Sequence, residues 1–140
     1  MLHADILIVG AGPSGLMAAL VAARAGARVI IADQNCEPGG SLLDQNLKIN
    51  GQAGLDWVQD VVSELTSLEN VTHLQNSTVW AYREHNLLII NQRITETPSI
   101  IERSWRVRAT QVLIATGAIE RSIVFPNNDR PGVKMASAIQ

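Results

Sequence analysis

Cysteine is nearly absent from this 140-residue chain, with Cys36 standing alone. That excludes an internal disulfide and a C-x-x-C redox centre. With no basic residue beside it in sequence, Cys36 reads as a small loop residue ahead of a reactive thiol. A basic surplus is missing too: 11 Lys and Arg face 13 Asp and Glu, for a formal charge of −2, so the footprint of a nucleic-acid binder is lacking. No apolar run approaches the roughly twenty residues of a membrane span. Leu2 to Val9 is interrupted by His3 and Asp5 and does not read as a secretory leader, so a cytoplasmic location is expected. His3, His73 and His85 are scattered without metal-ligand spacing, and no metal site is expected. Repeats, low-complexity tracts and linkers are absent. The remainder, 46% hydrophobic and 17% charged, describes one globular unit over residues 1–140.

What is present is concentrated between Asp5 and Asp33. Ile6 to Val9 is an aliphatic run too short for a free helix and suited to a strand buried on both faces. Gly10, Gly12 and Gly15 follow with G-x-G-x-x-G spacing. The first glycine permits the tight turn, the second admits a pyrophosphate to the backbone, and the third lets the helix lie close to the strand. A helix is expected from about Pro13 to Ala25, with proline in its first turn and its positive end aimed at the phosphates. Gly26 closes it. Arg28 to Ala32 returns as a second strand ending in Asp33, eighteen positions after Gly15. That is near the separation at which a carboxylate accepts hydrogen bonds from an adenosine ribose. Gln34 and Asn35 follow, so a negative charge and no arginine stands where a 2′-phosphate would sit, and NADP is disfavoured. NAD and FAD remain equally compatible with these residues.

Further along, Pro38, Gly39 and Gly40 force a turn that is either a plain connection or a second set of backbone amides facing a cofactor. Gly54 to Leu68 reads as a helix, with Leu55, Val58, Val62 and Leu65 at helical spacing and Val61 and Leu68 widening the stripe. Trp57 reads as core. A short strand near Val71 to Gln75 precedes three β-rich stretches, Thr78–Glu84, Leu87–Arg93 and about Glu102–Ala109. Glu84, His85 and Asn86 form one reversal, while Thr97, Pro98 and Ser99 lie in a longer one. This predicts an antiparallel β-meander, about 78–109, inserted into a parallel sheet. Arg106 and Arg108 alternate with Trp105, Val107 and Ala109 and read as a solvated face ahead of an anion site. Gln111 to Ala115 is expected as a separate buried strand running into Thr116 and Gly117, where the chain passes close to a dinucleotide. Another element is expected to begin within Met135 to Ile139.

The order of strand, glycine turn, helix, strand with acid, GG turn, helix, strand, meander and strand ending Ala-Thr-Gly resembles the two-dinucleotide flavoproteins, which share the fold of glutathione and thioredoxin reductases. More particularly, DQNCEPGGSLLDQN, VTHLQNSTVWAYREHNLLIINQR and the run Glu120 to Val133, ERSIVFPNNDRPGV, resemble the α subunits of heterotetrameric sarcosine oxidases. The resemblance implies a Rossmann-like α/β fold and a part in the oxidative demethylation of sarcosine to glycine. It implies that the amine-oxidising flavin belongs to another subunit, that FMN lies between subunits, and that this part of the α subunit holds NAD. Carried over by motif, Gly10, Gly12, Pro13, Ser14 and Gly15 face the pyrophosphate and Asp33 holds the ribose. Gly40 and Ser41 lie along the cofactor, Val79 meets the adenine through its backbone, and Thr116 with Gly117 closes the site.

Subunits of that family are several times longer, so the chain resembles an incomplete nucleotide-binding domain. No catalytic residue transfers, the chain alone is expected to be inactive, and other subunits of such a complex are the expected partners. Elements following Ile139 in the family would cover one edge, and an uncovered apolar patch is expected to favour self-association. Two other readings stand beside this one: an FAD-binding fragment of the opine oxidase or hydrogen cyanide synthase type, and a subunit-interaction module without a nucleotide.

Overall fold

The computed structural model describes residues 1–95 and 101–138. Its main sheet has six strands: β1 (Leu2–Val9), β2 (Val29–Ala32), β5 (Val71–Leu74), β6 (Ser77–Arg83), β7 (Leu87–Arg93) and β8 (Glu102–Ile114). Their order across the sheet is β5-β2-β1-β8-β7-β6. β5, β2, β1 and β8 run parallel, while β7 and β6 are antiparallel additions on the β8 side. A separate hairpin pairs β3 (Lys48–Ile49) with β4 (Gln52–Ala53). Asn50 and Gly51 both take positive φ at its turn, the backbone that an Asn-Gly pair supplies at little cost.

Both helices, α1 (Pro13–Arg24) and α2 (Gly54–Ser67), cover one face of the parallel strands. Ile8, Val29 and Ile31 meet Leu16, Ala19, Val61 and Leu65 there. Alanines on α1 let it approach both the sheet and α2. Asn70 holds the exit of α1, its Nδ2 donating to the carbonyls of Ala23 (3.0 Å) and Ala27 (2.7 Å). The opposite face, carrying Leu7, Ile30, Ala32 and Leu74, is covered by Leu88, Ile90 and Val107 of the meander. The result is helices, parallel strands and meander in layers. The second half of β1, Ile6–Val9, and all of β2 are therefore covered on both sides, which is why these stretches are apolar, whereas His3 and Asp5 lie in the first half of β1. Cutting Leu7 or Ile8, both fully buried, back to alanine would cost about 2–5 kcal/mol.

A change of facing in β1 makes this possible. Leu2 and Ala4 share the meander side with Leu7 and Val9, whereas Ile6 and Ile8 face the helices. The backbone N–H groups of Asp5 and Ile6 both donate to the carbonyl of Arg28, marking an irregular step at that point. The Asp5 carboxylate secures it by accepting from Arg28 N (2.8 Å) and from the Arg28 guanidinium (2.8 and 3.2 Å).

Three expectations are corrected. The stretches Glu102–Ala109 and Gln111–Ala115 are one strand, because β8 changes partner without breaking: its first half pairs with β7 and its second with β1. The Gln111–Ala115 stretch is also not buried, since Leu113 is 37% and Ile114 70% exposed. On α2 the buried stripe is Trp57, Val58, Val61 and Leu65, while Leu55 is exposed. The wide indole of Trp57 takes the place on the core side that the sequence pattern assigned to Leu55. The reversal at Glu84–Asn86 is a short 3₁₀ turn with positive φ at His85 and Asn86. Ala136–Ala138 likewise forms a 3₁₀ turn, and Ile139 lies outside the described residues. So do Thr97, Pro98 and Ser99.

Candidate functional site

The C-terminal ends of the parallel strands converge on the glycine turn. Gly10 donates to the carbonyl of Ala32 at the end of β2 (2.8 Å), and Ala115, just past β8, donates to Val9 (2.8 Å). Gly10 has φ +105°, and a β-carbon there would lie 2.4 Å from the Ala115 carbonyl oxygen. Gly15 is as constrained, since a β-carbon would stand 2.0 Å from the Gly10 carbonyl oxygen. These two glycines let α1 and β8 close on the turn. Gly12 differs: its φ is −74°, and a β-carbon would meet only the Cα of Gly40, at 3.9 Å.

Gly12 is also the N-cap of α1 and supplies no side-chain cap, with Pro13 opening the helix. By helix geometry the N–H groups of Ser14 and Gly15 have no intrahelical acceptor. An uncapped first turn with a positive dipole end attracts an anion. Ser14 is exposed beside it, and Gly15 is buried.

The turn is held by Asp33. One carboxylate oxygen accepts from Ala11 N–H (2.5 Å) and the other from Asn35 N–H (2.7 Å). Its own N–H donates to Leu74 O (3.0 Å), and its carbonyl accepts from Ser77 N–H (2.6 Å). Asp33 therefore fastens β2 to the glycine turn, to β5 and to the start of β6. Two carboxylate lone-pair directions remain after these bonds, enough to accept from a ribose. Ala11, Asn35 and Ser77 join the site through these bonds, beyond the residues that the motif marks. Asp-x-Asn at 33–35 is an Asx-turn pattern and carries the sequence signal for one of them.

The turn after β2 folds back onto this edge. Gly39 N–H donates to Ala11 O (2.8 Å), and Gly40, at φ +54°, packs so closely that a β-carbon would stand 2.9 Å from Gly12 Cα. The GG turn is thus more than a plain connection, being in backbone contact with the glycine turn. Gly40 starts a 3₁₀ turn, Gly40–Leu43, in which Ser41 is exposed and Leu42 is buried. Thr116 and Gly117 follow directly after Ala115, with Gly117 exposed. Gln34 is exposed beside Asp33 and borders a recess of about 370 Å³ that Thr78 and Trp80 also line. Val79 stands apart from the turn: it pairs with Ile90, its side chain packs toward the meander core, and it reaches the rest through Ser77. Cys36 is exposed in the loop.

His73, opposite Ile31 in the ladder, is the one buried side-chain polar atom without a partner among the described residues, at Nε2. Burial pushes its pKa down, while the nearby charge of Asp33 pulls it up, and burial wins. No group of His, Cys, Asp and Glu able to hold a metal occurs among the described residues. No helix among them is long and apolar enough to cross a membrane.

A glycine turn between a central parallel strand and an uncapped helix, with a carboxylate ending the neighbouring strand, defines an α/β dinucleotide-binding fold. The chain belongs to the FAD dependent oxidoreductase family, which matches residues 5–119. It is 47% identical to the alpha chain of sarcosine oxidase from Corynebacterium sp. (strain P-1) over 99% of its own length, spanning 15% of that relative. To an opine oxidase subunit from Agrobacterium tumefaciens (strain Ach5) it is 32% identical, covering 97% of this chain and 28% of the relative. The L-proline dehydrogenase from P. horikoshii shares the fold with a TM-score of 0.69 at 24% identity, over 94% of this chain and 26% of that one.

Proposed function

We propose that the chain is the dinucleotide-holding part of an α subunit of the sarcosine oxidase kind, contributing to oxidative demethylation of sarcosine within a larger complex. The observation that carries the binding part is the uncapped start of α1, approached through Gly12, where a side chain is neither required nor obstructed by the protein. The pyrophosphate lies over Gly12, Pro13 and Ser14, with amide N–H groups of the first turn donating to it. Gly10 and Gly15 shape that turn. Asp33 accepts from the ribose hydroxyls while keeping its bonds to Ala11 and Asn35. Gln34 and the backbone of Val79 border the adenine, Gly40 and Ser41 follow the cofactor, and Thr116 and Gly117 close the far side. The cofactor, once bound, supplies hydride transfer. No side chain of this chain is assigned a proton-transfer role.

The resemblance implies NAD, while the family's description favours FAD; Asp33 suits both, because both carry a free adenosine 2′-hydroxyl. The higher identity to the sarcosine oxidase chain than to the opine oxidase chain supports the choice of complex. Titration calorimetry with ADP, NAD and FAD tests the reading. Binding of ADP together with one of the dinucleotides is expected, and the preferred dinucleotide identifies the cofactor. Absence of heat with all three would leave the chain as a subunit-interaction module and refute the proposal.

A further inference from the structure

We infer that the outer face of the β-meander is a docking surface for an acidic patch on a partner protein. The strand register builds this face. Leu87 stands opposite Arg108, Ile89 opposite Arg106 and Arg83 opposite Leu87, all pointing away from the buried Leu88, Ile90 and Val107. Trp80 occupies the irregular step between Val79 and Ala81, is 59% exposed, and donates from Nε1 to Asn91 Oδ1 (3.2 Å). That bond ties the exposed indole to β7.

The face therefore has an apolar middle, Trp80, Leu87 and Ile89, flanked by arginines. Among the described residues none of Arg83, Arg106 or Arg108 forms an ion pair, the pairs being Arg24–Glu64 and Arg28–Asp5, elsewhere, while Arg93 stands opposite Glu102. In a chain of net charge −2, Arg83, Arg106 and Arg108 thus stand on one face without an ion pair among the described residues. Trp and Arg around an apolar centre are the composition of protein interfaces. Arginines of one sign repel each other until an acidic surface meets them, which gives the partner's sign. Strand β6 is the edge of the sheet, so no other strand of the sheet flanks this face. At one end lies the recess of about 370 Å³ that Gln34, Trp80, Asn91, Arg93 and Glu102 border, where Glu102 stands opposite Arg93 in the ladder, so the cationic part of the face is Arg83, Arg106 and Arg108.

The inference does not depend on the cofactor reading, and its failure would leave that reading untouched. The test uses the full chain and a fluorescently labelled random copolymer of glutamate and tyrosine, followed by anisotropy at low and moderate salt. Binding that weakens with salt is expected. Arg83→Glu with Arg106→Glu, both exposed, should weaken it at least tenfold, and Trp80→Ala severalfold, with unchanged circular dichroism. Arg121→Glu with Arg130→Glu makes the same charge change outside the face and should alter binding less than twofold. Equal losses in both double variants would reduce the effect to net charge and overturn the inference. So would no binding to the copolymer, or tighter binding to oligothymidylate, which would move the face to nucleic acid.

Discussion

Gly12→Ala and Gly15→Ala change the same motif by the same single methyl, yet they should fail in opposite ways. At Gly15 the added carbon would lie 2.0 Å from the carbonyl oxygen of Gly10. That oxygen shares its peptide plane with the Ala11 N–H, which the Asp33 carboxylate holds, so it cannot readily rotate away, and overpacking of this sort costs about 1–3 kcal/mol or more. At Gly12 the backbone has φ −74° and ψ −179°, open to any residue, and the nearest atom is 3.9 Å away. Alanine there should change stability by less than about 1 kcal/mol, because the gain of about 0.4–1 kcal/mol through the unfolded chain is opposed by the poorer N-cap that alanine makes. The methyl would nevertheless stand where the pyrophosphate approaches. A tenfold loss of ADP affinity or more, about 1.4 kcal/mol, is therefore expected from Gly12→Ala. Urea unfolding separates the two variants, and calorimetry with ADP measures the second effect. Should Gly12→Ala bind ADP as well as the parent does, the pyrophosphate does not lie over Gly12 and the glycine turn is structural. Equal destabilisation by both variants would refute the steric reasoning itself.

Asp33→Asn should lower stability by about 1.5–3 kcal/mol, since one of the Ala11 and Asn35 amides must then face an NH₂ group; ADP affinity should fall with it, and urea unfolding beside calorimetry reads both. His73 has a lowered pKa in the folded chain, so the unfolded chain takes up the proton first and stability should fall as pH drops below about 6.5. His73→Leu should flatten that decline in melting temperature between neutral and mildly acidic pH. Asp5 is held at about 2 against an ordinary 3.8, chiefly by its hydrogen bond to the Arg28 side chain. Its stabilising contribution is complete above 3.8 and disappears as pH falls toward 2, and Asp5→Asn should remove that part of the acid limb. Ile119, Ile123 and Val124 are 93%, 77% and 90% exposed, and concentration-dependent association in size-exclusion chromatography is expected, diminished by Ile119→Ser with Val124→Ser.

The parallel half of the fold is legible in the sequence because its signals are local. Ile6–Val9, the three glycines, Pro13 and Asp33 each state a backbone requirement within about thirty residues, and short-range requirements survive in sequence. The Asn50-Gly51 hairpin is equally local, but its strands are only two residues each and the polar residues around it hide them. Harder to see is β8, because nothing near Thr110 announces that a strand will exchange an antiparallel neighbour for a parallel one. That exchange is imposed by β1, at the far end of the chain. Leu55 misleads for a similar reason: periodicity ranks residues by spacing, whereas α2 turns Trp57 into the core that holds Ile8 and Ile31 and leaves Leu55 47% exposed.

Asp33 sharpens what a motif can and cannot say. Its position marks a ribose acceptor, yet its carboxylate already spans two backbone amides of the fold. A carboxylate with both duties ties the shape of the glycine turn to the occupancy of the ribose site, so removing it damages the turn before any ligand is added. Loss of binding in an Asp33 variant is therefore no evidence for a ribose contact. At Gly12 no side-chain hydrogen bond and no close neighbour demands glycine, and the N-cap position alone would favour Ser, Asn or Asp at least as well, so its bareness is the feature that a ligand explains best.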